Sequence, residues 1–121
     1  MRYRAGPEGA ATLRVAIEFS DAGCRSLDIE WSPLASGAHK KLEYARIFLV
    51  PLGSEGRVYL GIVDGRASTS VRLPEGLAEG EYAIEVDGYG SASWGDGRLD
   101  ARGRSATFVV GAGGLPCGTG G

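Results

Sequence analysis

The sequence predicts an all-β fold, an antiparallel sandwich of about seven short strands. Runs of alternating apolar and polar residues repeat along the chain, with turn-forming residues between them. No helical pattern separates these runs, so parallel strand–helix–strand units are not expected. The chain has 121 residues, of which 43% are hydrophobic, which suits one domain with a packed core. The predicted organisation is an irregular arm over 1–11, the sandwich over 12–110 and a glycine-rich tail over 111–121.

The first two strands follow from strict alternation. Apolar side chains occupy every second position from Leu13 to Phe19, and again from Leu27 to Trp31. This period of two is typical of a strand with one face in the core. Pro33 ends the second strand, because proline cannot donate a hydrogen bond to a strand ladder.

The next run, 42–50, is apolar on both faces. Ala45, Ile47 and Leu49 share one face, and Tyr44, Arg46 and Phe48 share the other. A helix over 38–49 is the alternative, but β-branched and aromatic residues favour a strand. A sandwich strand needs only one apolar face. The outward face of this run is therefore predicted to be either a contact surface or a face covered by another part of the chain, such as the arm.

The second half of the chain continues the strand pattern. Runs at 58–62 and 67–73 flank Asp64-Gly65, which predicts a tight hairpin because glycine supplies the positive φ of a type I′ turn. A strand follows over 82–86, then a loop over 87–103. The last predicted strand covers about 104–110.

Two stretches of the sequence resemble a known fold family. Ser26-Leu-Asp-Ile-Glu-Trp31-Ser-Pro33 resembles the second strand of fibronectin type III and related immunoglobulin-like domains, with its buried Trp. Leu77-Ala-Glu-Gly80-Glu-Tyr82 resembles the tyrosine corner of that fold, whose Tyr hydroxyl bonds to the upstream backbone. The resemblance covers about residues 12–110. It implies a disulfide-free, fibronectin-like sandwich used for adhesion, scaffolding or ligand binding rather than catalysis.

The residues themselves provide little catalytic chemistry, and we expect no enzyme activity, cofactor or metal. His39 is the one histidine, and Cys24 and Cys117 are too far apart in sequence to indicate a zinc site. Free thiols are the simpler interpretation of the cysteines, and a bond within or between chains is the alternative. A formal charge of −2 gives no basic surface for nucleic acid or anionic lipid.

No signal peptide or membrane-spanning segment is visible in the sequence, so the protein is either cytoplasmic or a mature or recombinant form of an extracellular or virion protein. The candidate binding residues fall in two places. Tyr44, Arg46 and Phe48 are of types enriched in protein interfaces. In the 87–103 loop, the candidates are Tyr89, Trp94, Asp96 and Arg98. Antibody loops also use Tyr and Trp as rigid anchors, although Trp94 is alternatively a ring buried over its own sandwich.

The sequence therefore predicts a non-catalytic interaction module. The favoured function is a structural or assembly subunit of a filament, virion or surface array, which binds protein and, in one form, copies of itself. The alternative is an accessory module that binds carbohydrate or another small ligand through the 87–103 loop.

Overall fold

A computed structural model describes residues 11–19, 25–33, 43–90 and 99–111. Within these ranges the chain is all-β: it contains eight strands and no helix, and therefore no helix that could span a membrane. The strands are β1 (Ala11–Phe19), β2 (Ser26–Pro33), β3 (Tyr44–Pro51), β4 (Val58–Asp64), β5 (Ser68–Arg72), β6 (Gly80–Tyr89), β7 (Ala101–Arg104) and β8 (Phe108–Val110). The helix alternative is wrong for the part of 38–49 that is described, since β3 occupies residues 44–49.

The strands form two halves around one core. One half consists of β1, β2 and β5, and the other follows the order β4-β3-β6-β7, with β8 also paired to β6. The halves are continuous, because the start of β1 pairs with β7 while the rest of β1 pairs with β2.

The prediction of a purely antiparallel sandwich of about seven strands is wrong in one respect. Ala11 and Thr12 pair in parallel with Ala101 and Arg102, so the sheet is mixed and close to a barrel. This pairing requires a close approach of two backbones at Gly103. An alanine Cβ there would lie 2.7 Å from the Cβ of Leu13 and 2.8 Å from its carbonyl carbon.

The predicted core and tyrosine corner are confirmed. Trp31 is 4% exposed, and the alternating residues of the other strands surround it. The core cluster includes Leu13, Val15, Leu27, Ile29, Ile47, Leu49, Ile84, Val86, Phe108 and Val110. The Tyr82 hydroxyl donates a hydrogen bond of 2.6 Å to the carbonyl oxygen of Ala78. Its ring stacks on Phe108, at 6.4 Å between centroids.

The predicted hairpin at Asp64-Gly65 does not form. Gly65 has the expected positive φ of 71°, but β4 pairs with β3 and β5 pairs with β2. The chain instead crosses between the two halves, and the Trp31 amide donates to the Ala67 carbonyl at 3.0 Å. A turn signal specifies local backbone shape, whereas the strand partners are chosen by distant core residues.

The predicted 87–103 loop is too long. β6 continues to Tyr89 and β7 begins at Ala101, so the two strands form a hairpin in which Asp87 lies opposite Arg102. The predicted last strand is interrupted at 105–107. Ala11, the last residue of the predicted arm over 1–11, belongs to β1 instead. The rest of that arm, the predicted tail over 111–121 apart from Gly111, His39 and both cysteines lie outside the described residues.

Candidate interaction surface

The outer face of β4-β3-β6-β7 carries the most distinctive chemistry in the described structure. The alternation along β3 shows which side of the sheet faces outward. Ala45, Ile47 and Leu49 are at most 2% exposed and enter the core. The alternate residues Tyr44, Arg46 and Phe48 therefore point outward. We call this side of the four strands the outer face.

Two acidic residues at the centre of the outer face are buried. Glu85 is 6% exposed and Asp87 only 1%, although both point away from the apolar core. Asp87 accepts bonds of 2.7 and 3.0 Å from Nε and Nη2 of Arg102. Arg57 Nη1 bridges the pair, at 2.8 Å from Glu85 and 3.1 Å from Asp87. Arg104 Nη2 donates to Glu85 at 3.2 Å.

This arginine–carboxylate network consists of Arg57, Glu85, Asp87, Arg102 and Arg104. Its three guanidinium groups surround two carboxylates, which leaves one excess positive charge. The bidentate geometry of Arg102 on Asp87 is the strong form of such a pair. The hydrogen bond to Asp87 raises the pKa of Arg102 against the opposing effect of burial. Arg102 therefore stays charged throughout the range in which proteins are folded.

Aromatic rings complete the outer face. The guanidinium carbon of Arg57 lies 3.6 Å from the ring centroid of Phe48, and that of Arg46 lies 5.5 Å from the centroid of Tyr89. Tyr59 packs edge-on to Phe48, with 5.8 Å between centroids. Such cation–π contacts hold arginine side chains in defined positions over the sheet.

The margin of the outer face at β4 is apolar and exposed. Tyr59 and Ile62, which pair with the outward Phe48 and Arg46, are 55% and 48% exposed. β4 lies at one end of the strand order, so no other described strand pairs with its outer edge. Large exposed apolar groups beside a fixed polar network are typical of an interaction site.

The structure brings four of the seven predicted site residues together. Tyr44, Arg46 and Phe48 lie on β3, and Tyr89 lies opposite Tyr44 on β6. The placement of Tyr89 in a loop is wrong, because Tyr89 ends β6 and is 6% exposed. Trp94, Asp96 and Arg98 lie outside the described residues.

The sequence reasoning missed the network itself. Glu85 was not singled out within the predicted strand 82–86, and Asp87 and Arg102 were placed in the predicted 87–103 loop. A usable signal was present: Glu85-Val-Asp87 and Arg102-Gly-Arg104 each place two like charges two residues apart. Like charges with that spacing share one face of a strand, and the two strands are complementary.

The opposite face is an open groove over β1, β2 and β5. Its floor includes Glu18, Asp28 and Glu30, with Ser68 and Ser70 beside them. The Ser70 hydroxyl donates to Asp28 at 2.6 Å. Within the described ranges, no three His, Cys, Asp or Glu side chains are placed to hold a metal ion. The acidic groove therefore carries no specific assignment.

Comparison with known proteins identifies the fold alone. No protein-family model matches the sequence, and no curated protein matches it. Among solved structures, the chain is similar to the structure of titin kinase and its flanking domains. The TM-score is 0.56, and the identity is 16% over 81% of this chain. It is also similar to domains A168–A170 from titin, with a TM-score of 0.58 and 14% identity over 85% of this chain.

The chain spans 16% and 32% of the length of those two titin chains. The buried Trp31, the tyrosine corner at Tyr82 and the strand arrangement agree with this similarity. The protein therefore has an immunoglobulin-like or fibronectin type III-like fold.

Proposed function

We propose that this protein is a non-catalytic module that binds protein through the outer face, as a structural or assembly subunit of a larger array. The observation that carries the proposal is the exposed apolar margin at Tyr59 and Ile62, directly beside the arginine–carboxylate network. Arginine and aromatic residues are the types enriched in protein interfaces. The fold is compatible with this role but does not decide it.

The network gives the surface a preformed shape. Arg57 is held by Glu85, Asp87 and the Phe48 ring at the same time. A side chain that is already fixed loses little further conformational freedom when a partner binds. The outer face is therefore suited to contact another protein without rearrangement.

The sequence supports the non-catalytic part of the proposal. One histidine and two cysteines offer few candidates for a nucleophile and its base. The buried carboxylates are also engaged by arginines, which occupy the oxygen atoms that an acid or base would need.

The carbohydrate alternative is weaker than the protein-binding proposal. It needs exposed rings, because sugars bind on open aromatic faces, and of its two predicted rings Trp94 lies outside the described residues. Tyr89 is 6% exposed and lies beneath Arg46. A sugar could not stack on it unless the arginine moved.

Light scattering coupled to size-exclusion chromatography tests the assembly function. We expect the wild-type mass to rise above 12.6 kDa with increasing concentration. Phe48→Glu is expected to reduce this association, because a carboxylate would lie beside Glu85 and displace Arg57 from the ring.

Phe19→Glu is the matched control, since Phe19 is 42% exposed at the end of β1 in the other half of the sandwich. Circular dichroism confirms that each variant is folded. A wild-type protein that stays monomeric at every concentration contradicts the assembly proposal.

A further inference from the structure

We propose that the occupant of the β4 edge is a second copy of this chain, paired antiparallel with β4 about a two-fold axis between Leu60 and Gly61. This inference rests on the proposed function, because it names the partner of the same surface. It comes from the chemistry of the segment Arg57–Asp64, whose sequence is Arg-Val-Tyr-Leu-Gly-Ile-Val-Asp.

That segment is complementary to itself when reversed. With the axis between Leu60 and Gly61, Arg57 lies opposite the partner's Asp64, and Val58 lies opposite the partner's Val63. Tyr59 lies opposite the partner's Ile62, and Leu60 opposite the partner's Gly61. Every apolar residue faces an apolar residue or glycine, and each charged residue faces the opposite charge. A two-fold interface requires this kind of self-complementarity.

A β-bulge in β4 places the residues that the proposed register brings together on the same face of the sheet. Phe48 pairs with Tyr59 while its neighbour Ile47 pairs with Gly61, so Leu60 is an extra residue in β4. Tyr59 and Ile62 are three positions apart, and in a regular strand they would point to opposite faces. The bulge places both on the outer face, where the proposed register joins them.

Apart from the bulge at Leu60 and the charge of Asp64, the β4 edge lacks the features that prevent strand pairing. β4 is seven residues long, contains no lysine or proline, and has a single charged residue, Asp64, at its end. Long apolar edge strands without such features readily pair with other chains. β5, at the other end of the strand order, is five residues long and mainly polar.

Charge also favours this register. The arginine–carboxylate network itself carries one excess positive charge, and Arg57 anchors its β4 side. Pairing brings the partner's Asp64 to this position rather than a second guanidinium. The symmetry repeats the contact, so each complementary pair counts twice.

Sedimentation equilibrium of Ile62→Lys tests the surface. We expect at least a roughly tenfold rise in the dimer dissociation constant, because the axis introduces two lysines into one interface. Val109→Lys is the matched control: Val109 is 54% exposed on β8, away from the β4 edge, and should leave the constant unchanged.

Cysteine mixing tests the register, in a background with Cys24 and Cys117 replaced by Ser. Residues directly opposite in antiparallel strands have Cα atoms about 4.5–5.5 Å apart, within disulfide range. Tyr59→Cys mixed with Ile62→Cys should therefore form a disulfide-linked heterodimer under mild oxidation. Each variant alone should cross-link far less, because like positions lie several residues apart across the axis.

The outcomes separate the two proposals. Association that survives Ile62→Lys, or cross-linking no greater in the mixture than in either variant alone, overturns the β4 pairing but leaves the assembly function. A wild-type protein that is monomeric throughout overturns both. The inference is supported if Ile62→Lys loses association while Val109→Lys keeps it, and if the mixture of cysteine variants cross-links while each variant by itself does not.

Discussion

Asp87→Asn is expected to lower the free energy of unfolding by about 3 kcal/mol, which corresponds to a fall of roughly 10 °C in Tm. Asp87 is 1% exposed and accepts bonds from both Arg57 and Arg102. An asparagine has the same shape but presents an NH₂ group where a second acceptor is needed. It also removes the charge that offsets the two guanidinium groups. Because the Arg57 and Arg102 side chains are partly exposed, we expect a smaller loss of stability than for a fully buried ion pair.

Glu30→Gln is the matched control for this prediction, measured by chemical and thermal denaturation. It makes the equivalent carboxylate-to-amide substitution on β2, in the other half of the sandwich, where Glu30 is exposed. Surface changes of this kind usually shift stability by less than about 0.5 kcal/mol. Equal effects of the two variants would contradict a structural role for the network.

Gly103→Ala is expected to destabilise the fold by a similar amount, about 3 kcal/mol. The added Cβ would collide with the backbone of Leu13, which no side-chain rotation can relieve. The collision falls next to the parallel pairing of β1 with β7, which connects the two halves. We therefore expect β1 to move away from β7, with a loss of apolar packing around Leu13.

Gly111→Ala provides the comparison for this variant. Nothing lies within 4 Å of the Cβ position at Gly111, so this change should be close to neutral in the same denaturation measurement. If Gly103→Ala is as stable as Gly111→Ala, the close contact between β1 and β7 is not present in the folded protein.

Local patterns predicted the strands well. Alternation alone identified the inward residues of β2, of β6 and of β1 as far as Ile17, because one face of each strand packs against the core. Phe19 was predicted on the same face, but at the end of β1 it is 42% exposed. Trp31 and Tyr82 were recognised from short motifs, and their burial and the Tyr82 hydrogen bond agree with that interpretation. These features can be predicted because they are encoded locally, either in a short motif or in the alternation that marks the buried face of a strand.

The arginine–carboxylate network could not be predicted in the same way. Glu85 and Asp87 are of types that are normally solvated, and they are buried here only because arginines 15 to 30 residues away fold over them. Glycines around Tyr89 indicated a loop, but Gly88 pairs with both Ala45 and Ala101 inside the sheet.

The parallel pair at β1 was also beyond sequence reasoning. Gly103 was placed at the end of the predicted 87–103 loop, in a chain that has 21 glycines. Its role depends on a contact with Leu13, at the other end of the chain. The failed hairpin at Asp64-Gly65 has the same cause, since both flanking strands find partners elsewhere in the sandwich.

Amide hydrogen exchange at two protein concentrations tests the central claim most directly, because it reports which edge becomes covered when copies meet. Raising the concentration from the micromolar to the submillimolar range should slow the exchange of amides in β4, over 58–64. Amides of the β5 edge, over 68–72, should exchange at the same rate at both concentrations. Protection that appears on β5, or on neither edge, would contradict the proposal that this protein associates through the outer face at β4.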